Sequence, residues 1–280
     1  MSSTSEQSEQ YLFRPVDQKE ADRARLTIQY QAFKQSIDLF SLEFTPKGNE
    51  TVVDLGCGPG DWGLDVAFAY PDMSVVGLDI DPSYVEYAMV RARLAHQNNV
   101  SFEEHDITDP LPFHDARAQY VNLSLASSFL YKEQWSTLFA ECLRILQPGG
   151  MLRIVEYMGI QSSSIAMHTL GYYHRLAMCH EGKRYIDSIP YLSPLLKAAG
   201  FLVSKLDVHA IDFSEGTDVH RSLADDHYVG AQLARPYVTK YTTASPEYLW
   251  GLAEEMQADM MRPGFYALLL LADITAQKPS

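Results

Sequence analysis

Two periodicities divide the chain. From Asp17 onward apolar residues recur at helical spacing, with Leu26, Tyr30, Phe33, Ile37 and Phe40 at i, i+4, i+7, i+11 and i+14. This predicts an amphipathic helix within the segment 11–48. The residues before it, 1–10, are Ser, Thr, Glu and Gln around a single Met, too polar to pack and expected to form a disordered tail. Beyond Asn49 the pattern changes to short apolar runs that read as strands: Val52 to Leu55, Ser74 to Asp79, Asn99 to Ile107, Tyr120 to Leu125, Met151 to Tyr157, Phe201 to Leu206 and Gly264 to Thr275. Helical spacing lies between them, as in Trp135, Leu138, Phe139, Cys142 and Leu146. Alternating strand and helix predicts a parallel sheet covered on both faces. Asp61 reads as a cap of the first core helix, Asp81 with Pro82 as an N-cap and first-turn proline, and Gly200 as the C-terminal cap of the stretch from Pro190 to Ala199.

Two segments exceed what such a core needs. Gly159 to Ile189 carries Met167, Leu170, His174 and Met178 on one helical stripe with Tyr172 and Tyr173 beside it. Asp212 to Pro263 is rich in Tyr, His and Met, and Ser245-Pro246 opens a further helix there. Long insertions at sheet ends serve as functional lids, and an aromatic stripe at this spacing serves equally as plain core. Both readings stand at this point.

The chemistry concentrates where the first apolar run breaks. In Asp54-Leu55-Gly56-Cys57-Gly58-Pro59-Gly60-Asp61 three glycines let the backbone turn tightly and approach a ligand, with amides presented at the start of the next helix. A dinucleotide fingerprint requires a third glycine at the position of Asp61, and Asp54 ends the strand where dehydrogenases carry an apolar or small residue. Asp79 closes the second strand about 20 residues after the loop, the spacing at which a carboxylate accepts hydrogen bonds from both hydroxyls of a ribose.

These residues resemble motif I and the following motifs of the class I S-adenosylmethionine-dependent methyltransferases, with Leu146-Gln147-Pro148-Gly149-Gly150 as the family's proline-glycine turn into its fifth strand. The resemblance covers Asn49 to Gly200 and resumes at the last strand. It implies a doubly wound α/β fold: a seven-stranded, mostly parallel sheet of order 3-2-1-4-5-7-6, the last strand antiparallel, with the insertions 159–189 and 212–263 forming a helical lid on a domain spanning 49–280. It implies S-adenosylmethionine as cofactor, held by Asp54, Gly56, Cys57, Gly58 and Gly60, by Asp79 at the ribose, by Ile80 under the adenine, by Asp106 and Ile107 at its amine, and by Asn122 and Leu123 at the fourth strand. The segment before the core folds over the cofactor in this family, which makes Tyr11, Gln29 and Tyr30 candidates to touch it. Tyr30, Glu156, Tyr173 and His174 are the candidates to face the substrate.

Composition narrows the partners. Of 280 residues 46% are hydrophobic, enough for one large core. A net charge of −14 without a Lys or Arg run argues against nucleic acid and against an anionic membrane surface, which leaves a small molecule as partner. Three cysteines form neither a disulfide framework nor a metal spacing, no His-x-x-x-His is present, and no Gly-x-Ser-x-Gly elbow occurs. A cytoplasmic protein without metal is expected, because the start lacks a signal pattern and the apolar run from Tyr266 to Ala272 is too short to span a bilayer. Methyl transfer is an in-line displacement that asks chiefly for alignment. His174, His180 and Glu156 are the candidates for a base, and none is assigned as catalytic. The expected activity is methylation of a small, apolar or aromatic metabolite. The alternatives are a cyclisation or rearrangement on the same cofactor-binding fold, and a regulator that binds the cofactor as a ligand.

Overall fold

The computed structural model describes residues 16–185 and 187–280; Tyr11 and the tail 1–10 lie outside the described residues. In chain order the elements are α1 (Val16–Phe33), β1 (Thr51–Leu55), α2 (Asp61–Ala69), β2 (Ser74–Asp79), α3 (Pro82–Leu94), β3 (Val100–Glu104), β4 (Ala118–Ser124), a 3-10 turn (Ala126–Ser128), α4 (Lys132–Ile145), β5 (Leu146–Ser162), α5 (Ile165–Glu181), α6 (Ile189–Ala199), β6 (Leu202–Asp212), α7 (His220–Tyr241), α8 (Pro246–Met260) and β7 (Ala267–Gln277). The strands form one sheet of order β3-β2-β1-β4-β5-β7-β6. Neighbours are parallel from β3 to β5, and β7 runs antiparallel to both β5 and β6. This is the expected order.

Because strand side chains alternate between faces, each apolar run feeds two cores. Val53, Leu55, Val121, Leu123, Leu152 and Ile154 pack on one face against Trp135, Phe139, Leu192 and Leu196 of α4 and α6. Val52, Val75 and Tyr120 pack on the other against Phe40, Trp62, Val66 and Met73. A further core lies where β5, β6 and β7 run on past the rest of the sheet: Met167, Leu223, Leu252 and Met256 of α5, α7 and α8 bury Val155, Ile211, Leu269 and Leu271. The two insertions therefore form one helical layer.

Several boundaries differ from the sequence reading. α1 ends at Phe33, and Ile37 and Phe40 lie beyond it. The carbonyls of Asp38 and Leu39 are taken by Arg153 Nη1 at 2.8 and 3.1 Å, and that of Leu39 also accepts from Trp62 Nε1 at 2.8 Å. A continued helix would have needed those carbonyls internally. Phe40 instead enters an aromatic cluster, its ring centroid 4.9 Å from that of Tyr120 and 5.9 Å from that of Trp62. β5 and β6 run longer than expected because β7 pairs along both, to Ser162↔Ala267 and Asp212↔Leu268. Residues 159–162 thus extend the sheet before the insertion turns helical. Asp61 is not a cap: Gly60 precedes α2 with φ +81°, and Asp61 lies in the first turn. Asp81 and Ser245 cap α3 and α8 as read, accepting from Ser83 N and Tyr248 N.

Candidate cofactor and acceptor site

The glycine loop leaves β1 with φ of +67° at Gly56, +52° at Gly58 and +81° at Gly60, a region that β-carbons oppose. The three glycines have different reasons. A Cβ at Gly60 would stand 2.7 Å from Ala88 Cβ and 2.8 Å from the Phe102 ring, and one at Gly56 would stand 3.1 Å from Phe129. Both are fixed by protein packing. At Gly58 a Cβ would meet only Leu26 Cδ1 of α1, at 3.9 Å. Only here does the missing side chain face open space, so Gly58 is the glycine whose backbone a ligand could approach.

The acids converge on this loop. Asp79 Oδ2 accepts from Gly58 N at 2.7 Å and Oδ1 from Asp81 N at 2.9 Å, tying the end of β2 to the loop. Two oxygens offer about four acceptor positions, so capacity remains for further donors. Asp54 is paired with Asn122, whose Nδ2 donates to Oδ1 at 2.8 Å across the β1–β4 register. Asp54 is 4% exposed and Asp79 8%. Burial pushes Asp54 up to about 7, against the Asn122 hydrogen bond and with help from the Asp79 charge. Burial likewise pushes Asp79 up to about 6, against the amides of Asp81 and Gly58. Two buried carboxyls at one loop make it a candidate binding site. The half-buried Asp106 accepts from Thr108 N and Oγ1 through Oδ1, and Ile80 is half-buried beside Asp79. Cys57 is buried in the loop, its N–H bound to the Leu78 carbonyl. The side chains of Ile107 and Leu123 are not brought to the loop: both face the core under α4.

α1 lies over the loop. Thr27 Oγ1 donates to Asp61 Oδ2 at 3.0 Å, and Arg91 Nη2 meets the other oxygen at 2.7 Å, which is the role Asp61 has in place of capping. Lys19 pairs with Asp81 at 3.3 Å and Tyr84 donates to Asp22 at 2.9 Å. Toward the lid, Arg25 and Gln29 both bind Asp226 of α7, at 3.1 and 3.2 Å. Gln29 is therefore spent on holding α1 down. Tyr30 donates to Asp65 at 2.9 Å, and burial together with that carboxylate raises its pKa. Its hydroxyl faces α2, away from the lid helices.

Glu156, within β5 opposite Ala272 of β7, is fully buried at 0% exposure. It accepts from Ser127 N at 2.9 Å and Ser127 Oγ at 2.5 Å, which straps the turn after β4 to β5. Burial pushes it up to about 7, against those hydrogen bonds. On α5 the buried stripe is offset from the expected one: Met167 and Leu170 point inward as read, and Tyr173 and Ala177 continue that face, whereas His174 is exposed with its ring 5.9 Å from that of Tyr237. Tyr173 packs edge-on against Tyr172 at 5.5 Å and Tyr248 at 5.8 Å. The exposed His180 has Nδ1 2.7 Å from the Tyr241 carbonyl. Residues that sequence reasoning missed are Leu26, Ser127, Phe129 and Asp226. Each meets the site through a tertiary contact, which carries no local pattern.

Two surface hollows, of about 520 and 440 Å3, open between α3 and β3 and at the start of β2 and β3. Neither reaches the loop. Among the described residues no three of His, Cys, Asp and Glu group as a metal would require, and no helix is long and apolar enough to cross a membrane.

Comparison with known proteins agrees with this geometry. Residues 52–150 match the family model of a methyltransferase domain. The methyltransferase pytC of Aspergillus terreus is 25% identical over 201 residues, 67% of this chain and 56% of pytC. The secondary metabolism regulator laeA of Aspergillus niger is 31% identical over 144 residues, 51% of this chain and 35% of laeA. The match thus spans about half or less of the length of these relatives. The crystal structure of the [4+2]-cyclase SpnF shares the fold with a TM-score of 0.54 at 20% identity, over 91% of this chain and 81% of that one. The matched domain, the sheet order and the glycine loop agree: residues 52–150 are similar to a methyltransferase domain, and the chain has the seven-stranded fold of solved methyltransferase structures.

Proposed function

We propose that the chain binds S-adenosylmethionine at the carboxyl ends of β1, β2 and β4 and transfers its methyl group to a small, apolar or aromatic acceptor held under the helical lid. The observation that carries this reading is the pair of buried carboxyls at the glycine loop, Asp79 on the Gly58 amide and Asp54 near the end of β1. Asp79 has acceptor capacity left for the ribose hydroxyls while its present partners fix its orientation. Asp54 is costly to ionise in the unliganded protein, and a cationic group beside it, such as the amino group of the cofactor, would offset that cost. Asp106 keeps one carboxylate oxygen for an adenine amine, and Ile80 supplies apolar surface beside it.

When bound, the cofactor would supply a sulfonium-activated methyl for in-line transfer, its neutral thioether being the leaving group. The protein's own part is alignment and exclusion of water. α1 lies over the loop, and α5 and α8 bring Tyr173 and Tyr248 together under the lid, aromatic surface that suits an apolar or aromatic acceptor. Glu156 is a positioning group in this reading: it fixes the Ser127 turn at the cofactor end of β4.

A second reading keeps the site and changes the reaction. A [4+2]-cyclase shares the fold, and fold does not fix chemistry. Turnover on candidate acceptors separates the two: release of S-adenosylhomocysteine in proportion to product supports methyl transfer, whereas product formed with the cofactor intact overturns it.

A further inference from the structure

The two edges of the sheet are treated differently. β3 is five residues long and carries Ser101, Glu103 and Glu104 exposed, which blocks pairing with another chain by charge and by brevity. β6 is eleven residues long and has neither glycine nor proline, and among the described residues β7 is the one strand that pairs with it. At about 3.3 Å per residue it offers an unpaired edge of roughly 36 Å. Leu206 and Val208 on this strand are 46% and 52% exposed, and Ala210 is exposed beyond them. Their register partners on β7, Ile274, Ala272 and Leu270, extend the same apolar face inward. Ile274 and Ala272 are fully buried, so the exposed apolar surface on this face is that of β6 itself.

The charges on β6 choose the occupant. Lys205 and Asp207 share the opposite face and form an ion pair at 2.8 Å, with Glu43 3.4 Å from the lysine. If two copies of β6 pair antiparallel with Leu206 opposite itself, Lys205 of each copy stands opposite Asp207 of the other, and the four charges alternate. Centring the pair on Lys205 or Asp207 puts like charges face to face, which cross-strand pairs disfavour. The strand is thus complementary to its own copy in one register that satisfies both charges and joins the apolar faces.

We propose that β6 is a homodimerisation edge, at which two copies of this chain form a continuous fourteen-stranded sheet about a two-fold axis at Leu206. A strand of another protein would not be selected by this register.

Light scattering on the full chain at micromolar concentrations tests this. The dimer mass is expected for the wild type. Lys205→Asp and Asp207→Lys should each weaken association at least tenfold, and the double variant should restore it, since the exchanged charges again alternate. Val208→Lys, at an exposed position that the fold tolerates, should give monomer with an unchanged circular dichroism spectrum. In a Cys179→Ser background, Leu206→Cys should form an intermolecular disulfide under mild oxidation, and Ala210→Cys should not. A monomeric wild type, or a dimer indifferent to Val208→Lys and to the single charge reversals, overturns the proposal.

Discussion

Asp54 should be a residue whose removal stabilises the unliganded protein. Its carboxyl is pushed up to about 7 from an ordinary 3.8, first by burial and then by the neighbouring Asp79 charge. An acid whose pKa is raised by folding binds its proton more tightly in the native state. The penalty that Asp54 itself places on stability is therefore absent below about pH 4 and grows as pH rises toward about pH 7. A displacement of about three units corresponds to about 4 kcal/mol if Asp54 titrated alone. Asp79 titrates over the same range, so we assign about half, roughly 2 kcal/mol, to Asp54 itself. Asp54→Asn keeps the shape and an oxygen for Asn122 Nδ2 while removing the ionisation. Urea unfolding without ligand, followed by tryptophan fluorescence, should show the variant ahead by roughly 2 kcal/mol near pH 8 and by much less near pH 5. The same variant should bind S-adenosylhomocysteine more weakly, a trade of function for stability. A variant less stable than wild type near pH 8, or a difference that does not change with pH, would refute the assignment.

Other consequences are independent of that one. Gly60→Ala should cost roughly 2–4 kcal/mol in thermal unfolding, since its Cβ meets Ala88 and Phe102 below 3 Å at a left-handed φ. Gly58→Val should instead show its main loss in cofactor titrations, because its side chain would enter the open space. Arg153→Ala removes the partner of buried Asp273 at 2.6 Å and the donor to the Asp38 and Leu39 carbonyls, and a loss of about 3–5 kcal/mol is expected in denaturant melts. His174→Ala should stay within about 0.5 kcal/mol of wild type, whereas Tyr173→Ala should lose about 3 kcal/mol and leave cofactor affinity within about twofold. Equal losses at the two positions would contradict the inward orientation of Tyr173.

What the sequence revealed follows the range of the interaction concerned. The strands and the glycine loop were legible because apolar runs and glycine spacing are local patterns, and so were the helix starts at Asp81 and Ser245, whereas the strand order followed from the resemblance those motifs carry. The end of α1 was not, because Arg153 reaches 115 residues back in sequence to take the Asp38 carbonyl. Asp61 looked like a cap until Thr27 and Arg91 were seen to hold it. On α5, helical spacing placed residues on stripes, but only contact with α7 and α8 decides which stripe is buried, and Tyr173, not His174, packs inward. Gly60 is explained by Phe102 on a strand two removed from β1, a packing reason that motif spacing does not contain.

The central claim is that Asp79 and the loop at Gly58 hold the cofactor. Calorimetric titration of S-adenosylhomocysteine into wild type, Asp79→Asn and Asp79→Ala tests it most directly. Charge-assisted hydrogen bonds to a carboxylate contribute about 1.5–3 kcal/mol each, so each variant should lose at least about tenfold in affinity. Binding by the wild type, with that loss in variants whose circular dichroism is unchanged, is the expected result. No binding by the wild type, or full affinity in folded Asp79→Ala, would contradict it.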